Sequence, residues 1–360
     1  MDKSLYFNDL KVIEFATVLA GPSVGLFFAE LGAKVIKIEN KLTGGDVTRS
    51  WKLPEEDSKA PFSAYYYSAN WQKEVLMMDL TDEDDLLEIN ALVKDADLVI
   101  SNFKAGAAEK LGVGFKQLKE LNSRLIYASV NAYGEEDTRP GFDVVIQAET
   151  GWVYMNGETD GLPVKMPVAL MDVLAAHQLK EGVLLALLER ERTGLGSSVS
   201  ISLFDAGVAS LANQATNWLN LQSIPQRLGS LHPNIAPYGD TFFTSDNKAL
   251  MVSTGTDKQW QGLCKILGMP DLVTDNRYLT NALRLEHRDS LADHLRERFL
   301  RFESQQLLRI CREQQVPIAQ IRNMQEVFDV PAAQNLILEE SMPDGTVSKR
   351  VKTAVFKIHQ

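Results

Sequence analysis

The sequence predicts an α/β fold: a large domain built on a Rossmann-like parallel sheet, with a smaller α+β domain attached. Three observations carry this. In the first half, short β-rich runs alternate with helical patterns, the signature of βαβ units. After about Leu219 the alternation stops, and two adjacent strand-like runs read as an antiparallel hairpin. With 360 residues, the chain also exceeds one average domain. The pattern places the large domain at 1–218, the smaller one at 219–315, and a C-terminal segment returning to the large domain at 316–360.

Six strands are predicted: KVIEFA from Lys11, AKVIKIE from Ala33, EVLMMDL from Glu74, ADLVIS from Ala96, RLIYASV from Arg124 and MPVALM from Met166. Between the first two, GPSVGLFFAELG sets Pro22 at a helix start and Gly32 at its end. A second helix spans 81–97, with Thr81 and Asp84 at capping-box spacing and Leu86, Ile89 and Val93 on one face. A third follows Asp172, with Leu174, Leu179, Val183, Leu184, Leu187 and Leu188 as its apolar stripe. TGLGSSVSISLFDAGVA then gives a Gly turn, a short strand and another helix start. In YGDTFFTSDNKALMVSTGT, a turn at 245–247 joins two strands, and helices are expected at 258–267 and 288–312.

Composition narrows the function classes. A formal net charge of −11 argues against nucleic acid as a partner, since phosphate binding needs a clustered basic surface. Cys264 and Cys311 lack any spacing that suggests zinc or a disulfide framework. MDKSLYFNDL has no secretory layout, and VLLALL is far short of the ~20 apolar residues of a membrane span. A cytoplasmic protein with no membrane partner is expected.

Several loops fall at the same edge of the predicted sheet. LAGPSVG offers a Gly turn and a helix N-terminus, and Glu39 ends the second strand at about the distance of a ribose-binding acid, but G-x-x-x-G is not the dinucleotide fingerprint. SNFKAGAAEKLG carries Lys104 and Lys110, which suit a phosphate or a plain solvated loop. In NAYG, Tyr133 either offers a hydroxyl to a ligand or caps the core with its ring. The five histidines have no metal-ligand spacing, and no G-x-S-x-G elbow is present. In VALMDVLAAHQ, Asp172 reads locally as a helix N-cap or as a nucleophile held over the sheet edge.

Together these pieces resemble the family III (CaiB/BaiF) CoA-transferases. The resemblance runs through LKVIEFATVLAGP, LGAKVIKIEN, GGDVTRSW, ADLVISNFKAGAAEKLG, RLIYASVNAYG, PGFDVVIQAETG, MDVLAAHQLKEGVLLALLERERTGLGSSVSISLFDA, LGSLHPNIAPYGDTFFTSDN and VPIAQIRNMQEVF, in the family's order. It implies an interlocked homodimer, Asp172 as nucleophile, and coenzyme A as substrate rather than prosthetic group. Coenzyme A contacts would come from Leu19 and Ala20, from Met78, Asp79, Leu80 and Thr81, from Asn102, Phe103 and Lys104, from Lys110, and from Asn131, Ala132, Tyr133 and Gly134. Acyl intermediates at such a site would hydrolyse, so a covering loop near 230–234 is expected, and donors at the helix start are expected to keep the Asp172 carboxylate ionised.

Departures from the family are specific. Leu19 replaces the glutamine of formyl-CoA transferases, GSLHPN replaces their Gly-rich loop, and Asn40 stands where an arginine often meets coenzyme A phosphates, with Lys41 as a substitute. Racemases of 2-methylacyl-CoA carry a His-Asp pair where this chain has Phe142 and Asp143, and phenylalanine cannot take a proton. The alternatives at this stage are a racemase or isomerase, a nicotinamide oxidoreductase, and a catalytically silent CoA-binding relative.

Overall fold

The computed structural model describes residues 6–342 and 345–359. Residues 1–5 of the opening stretch and Gln360 lie outside them. Two compact units form, the larger from 1–153, 165–225 and 335–360, the smaller from 154–164 and 226–334. The larger unit therefore continues past 218, because the helix Ala212–Leu221 crosses that point.

The larger unit runs β1 (Lys11–Glu14), α1 (Ala20–Glu30), β2 (Lys34–Asn40), α2 (Ala64–Tyr67), β3 (Lys73–Met78), α3 (Glu83–Lys94), β4 (Leu98–Ser101), α4 (Ala107–Lys110), α5 (Phe115–Leu121), β5 (Ile126–Asn131), α6 (Asp143–Glu149), α7 (Trp152–Met155), α8 (Leu170–Thr193), β6 (Ser198–Ser202), α9 (Leu203–Ala209) and α10 (Ala212–Leu221). These six strands form one all-parallel sheet, in the order β3-β2-β1-β4-β5-β6. Successive side chains along a strand point to opposite faces, so Val12, Val35 and Ile100 enter one core while Ile13, Ile36 and Val99 enter the other. Burial on both faces is why these strands read as near-continuous apolar runs.

Three sequence expectations change here. The sixth strand is Ser198–Ser202, paired with β5, and not MPVALM. Residues 166–169 are irregular and Leu170 already begins α8, so that apolar run is an approach to a helix. The second helix is capped by Asp82, which accepts from the Asp84 and Asp85 N–H groups; Thr81 instead donates to Asp79, at 2.9 Å from its N–H and 2.7 Å from its hydroxyl. In α8 the buried face is Ala175, Ala176, Leu179, Val183 and Ala186, which leaves Leu184 and Leu188 exposed.

In the smaller unit, β7 (Tyr238–Phe243) and β8 (Ala249–Ser253) form the antiparallel hairpin, and β9 (Ile318–Gln320) adds a third strand. That pairing assigns 316–334 to the smaller unit rather than to a returning segment. Helices α11 (Asp257–Ile266), α12 (Asp271–Thr274), α13 (Asn281–Glu286), α14 (Arg288–Phe299), α15 (Ser304–Glu313), α16 (Met324–Phe328) and α17 (Pro331–Gln334) complete it. Instead of one helix over 288–312, α14 and α15 separate where Asp246 accepts from the Ser304 N–H at 3.0 Å and its hydroxyl at 2.6 Å. Cys264 and Cys311 are free thiols buried in this unit's core.

The chain then re-enters the larger unit as an antiparallel pair, β10 (Ile337–Ser341) and β11 (Val347–Val351). The Glu30 carboxylate at the end of α1 anchors it, accepting from Arg350 at 2.7 Å and from the Ala354 N–H at 2.7 Å.

Candidate active site

Strand order reverses on either side of β1 and β4, and in open α/β sheets the ligand crevice lies at the strands' carboxyl ends beside that switch. One side chain closes it. Asn102, just after β4, accepts from the Thr17 N–H at 3.0 Å and donates to the Thr17 carbonyl at 2.8 Å, just after β1. Its amide is thereby committed to the backbone, so Asn102 shapes the crevice wall.

The next residue, Val18, lies at φ 70°, where a β-branched side chain costs about 1–2 kcal/mol. Both Asp46 oxygens accept from its N–H, at 3.2 and 3.3 Å. Asp46 also takes the Lys37 ammonium at 2.9 Å, and Lys37 meets Glu14 at 3.2 Å. Lys73 reaches both Glu14 oxygens at 2.8 Å. Burial opposes charge on Lys37, but Glu14 and Asp46 outweigh it and hold the ammonium above the ordinary lysine range. For Lys73 burial wins over Glu14, and its ammonium is pushed down to about 8. Burial works against the Asp46 carboxylate as well, yet the Lys37 charge and the Thr48 hydrogen bonds hold it below the usual range.

This network corrects the reading of LAGPSVG. Gly21 and Gly25 are not a phosphate turn; they lie inside α1. A Cβ at Gly21 would meet the Ala16 side chain, and one at Gly25 would meet the Glu14 carboxylate, so both glycines let the helix approach β1. Glu39 is no ribose ligand either. It is buried and accepts from Arg49 at 2.6 Å, the Tyr66 hydroxyl at 2.8 Å and the Asp46 N–H at 2.9 Å. Lys41, the suggested phosphate cation, instead bonds Asp85 at 2.7 Å.

Of the cavities along this edge, two hold most of the implied contacts. One, of about 320 Å³, is bounded by Asp172 and brings together Leu19, Ala20, Asn102, Phe103, Lys104, Asn131 and Ala132. The other, of about 650 Å³, is lined by Met78, Asp79, Leu80 and Thr81 with Asn40, the 43–45 turn and Arg49; Thr17 and Phe103 border both. Lys110, Tyr133 and Gly134 line neither. The Tyr133 ring packs on the core beside Phe204, under the Arg139 guanidinium at 3.9 Å, and Gly134 donates its N–H to Asn131 at 2.5 Å. Of the two readings of Tyr133, the core-capping one describes its placement.

Asp172 is the third residue of α8, not its N-cap, which is Ala169 and lacks a capping side chain. The free N–H of Met171 is instead satisfied by Asp143, at 2.7 Å. A carboxylate in a first helical turn is ordinarily favoured by the dipole. Here burial, and then the charge of Asp143, dominate and push the Asp172 carboxyl up to about 7. The expectation that surrounding donors keep it ionised is therefore reversed. The Tyr65 hydroxyl on α2 is raised by burial and then by the charges of Asp172 and Asp143.

Sequence reasoning missed Asp46, Tyr65, Arg139 and the capping role of Asp143. Arg139 lines the Asp172 cavity and bonds Asp137 at 2.9 Å. Only Asp143 left a signal, as an acid opening a helical pattern in PGFDVVIQAE.

A family model described as CoA-transferase family III matches residues 7–360. The chain is 36% identical to the succinate–glutarate CoA-transferase of Agrobacterium fabrum, over 97% of this chain and 88% of the relative. It is 33% identical to the succinyl-CoA:mesaconate CoA-transferase of Haloarcula hispanica, over 90% and 82%. Among solved structures, a CaiB/BaiF family protein from Brucella suis superposes with a TM-score of 0.85 at 34% identity, covering 97% of this chain and 91% of that one.

Proposed function

The chain belongs to CoA-transferase family III, and from that premise we propose that it moves coenzyme A from an acyl-CoA to a carboxylic acid, with Asp172 as the covalent nucleophile. The observation that carries the proposal is the buried Asp172 carboxyl, at a helix start in a cavity walled by the β1, β4 and β5 loops. Its carboxylate attacks the thioester carbonyl, the C–S bond breaks, and a mixed anhydride and the coenzyme A thiolate result. The thiolate attacks the aspartyl carbonyl, releasing the donor acid and leaving an aspartyl-CoA thioester. The acceptor carboxylate attacks that thioester, and the returning thiolate takes the new acyl group and frees Asp172. Atoms and charge balance with no net oxidation, and two acyl transfers replace one exchange between acids.

The larger cavity suits the adenosine end of coenzyme A, with the pantetheine arm passing Thr17 and Phe103 towards Asp172. Lys104, on the wall of the Asp172 cavity and next to the shared Phe103, remains the phosphate-binding candidate, while Lys110 contributes charge from α4. Short dicarboxylic acids are the proposed substrates, in keeping with the named activities of the relatives and with Lys104 and Arg139 on the wall of the Asp172 cavity. Phe142 on that wall offers no proton, which disfavours a two-base racemase. An interlocked homodimer in the cytoplasm belongs to the same proposal, and Leu184, Leu185 and Leu188 on α8 with Leu219 and Leu221 on α10 supply exposed apolar surface for a second copy.

The test is to mix the protein with a panel of acyl-CoAs, succinyl-CoA included, add hydroxylamine and map modification by mass spectrometry. A hydroxamate at Asp172, and loss of transfer in Asp172→Asn, are expected. Full transfer by Asp172→Asn rejects the assignment.

A further inference from the structure

Two side chains on α6 hold the chain that leads into Asp172. Asp143 and Gln147 are four residues apart and share a helix face. The Gln147 side chain is fully buried; its carbonyl oxygen accepts from the Met166 N–H at 2.8 Å, and its amide donates to Asp143 Oδ2 at 2.6 Å. Asp143 Oδ1 accepts from the Met171 N–H at 2.7 Å. Both ends of segment 166–171 are thus pinned to one helix by three bonds in series, and the residue after the last bond is Asp172.

We propose that Asp143, held by Gln147, is a positioning residue for transfer: it fixes the start of α8 and keeps a second negative charge against the Asp172 carboxylate. The proposal rests on Asp172 being the nucleophile.

Capping the helix start alone would need only a neutral acceptor, such as Asn or Ser. A carboxylate adds repulsion. Both Asp143 oxygens are engaged as acceptors, so the group stands as a fixed anion on the wall of the cavity that the buried Asp172 also lines. Acylation of Asp172 removes the charge there, so anhydride and thioester formation relieve the repulsion. Asp143 therefore destabilises the free carboxylate relative to the covalent intermediates, and raises its basicity as a nucleophile. The other charged or titratable groups near Asp172 are Tyr65 on α2 and, on the cavity loops, Lys104, Asp137 and Arg139.

The decisive measurement is the pH profile of kcat/KM for the most active donor of the acyl-CoA panel, in the parent, Asp143→Asn and Asp143→Ser. Both replacements keep an acceptor for the Met171 N–H, so at least one is expected to fold. Removing the charge should move the acid limb, expected near pH 7 in the parent, down by about one unit, with a plateau rate reduced about tenfold or more. A merely structural role slows the reaction without moving the limb, so an unmoved limb overturns the proposal at any rate. Hydroxylamine trapping separates the two levels. A hydroxamate at Asp172 in parent and variant with an unmoved limb rejects the positioning role of Asp143 alone, whereas no hydroxamate in the parent rejects the nucleophile.

Discussion

Asp46 holds Val18 in a backbone conformation that valine ordinarily avoids, accepting its N–H with both oxygens while φ stands at 70°. Val18→Gly removes strain of about 1–2 kcal/mol but adds about 0.5–1 kcal/mol of unfolded-chain entropy, so stability should change by no more than about 1.5 kcal/mol. The turn loses its restriction, so KM for acyl-CoA should rise several-fold. Asp46→Asn deprives the buried Lys37 of a charged partner and should cost about 3 kcal/mol in urea unfolding. A neutral Asp46→Asn would mean that the network does not fix this turn.

Gly25→Ala should destabilise the protein despite the better helix propensity of alanine. The gain is at most about 1 kcal/mol, whereas the added methyl drives into the Glu14 carboxylate where Lys73 binds it, an overpacked ion pair worth about 3 kcal/mol or more. Thermal unfolding of Gly25→Ala against the parent decides it, and a raised midpoint would contradict the close approach.

The folded-state pKa of the Asp172 carboxyl is raised to about 7, so folding favours its protonated form. That preference is fully present at low pH and is lost as pH rises through 7, where a buried anion must be carried. Asp172→Asn should therefore be more stable than the parent at pH 8, by about 2–4 kcal/mol, with the difference close to zero at pH 4. Urea unfolding at the two pH values checks this, and a difference independent of pH would refute it.

The opposite sign applies in the smaller unit. Hydrogen bonds from the Ser304 and Thr244 side chains hold Asp246 down at about 2. Its stabilising effect is present above the ordinary carboxylate range and fades as pH falls through 2. Asp246→Asn should lower the unfolding midpoint at pH 7, with the gap narrowing on acidification. A gap that widens in acid would exclude Asp246 as the anchor of α15.

What the sequence determined by itself was the architecture and the edge where chemistry gathers. Val12 and Ile13, Val35 and Ile36, and Val99 and Ile100 announce strands buried on both faces, because the two-residue repeat is written in adjacent positions. Of the contacts that the ordered motifs imply, Leu19, Ala20, Asn102, Phe103, Lys104, Asn131 and Ala132 line the cavity that Asp172 bounds. What it left undecided depended on partners distant along the chain. MPVALM and SVSIS are both plausible strands, and pairing with β5 selects only the second. Asp172 looked like a cap because a local pattern cannot reveal that Asp143, 28 residues before Met171, already accepts from that residue's free N–H. Glu39 and Lys41 looked available for a ligand until folding supplied Arg49, Tyr66 and Asp85 as partners. The ionisation of Asp172 likewise follows from burial beside a second anion. Propensity and periodicity act over a few residues, whereas desolvation and long-range hydrogen bonding are set only once the tertiary structure closes.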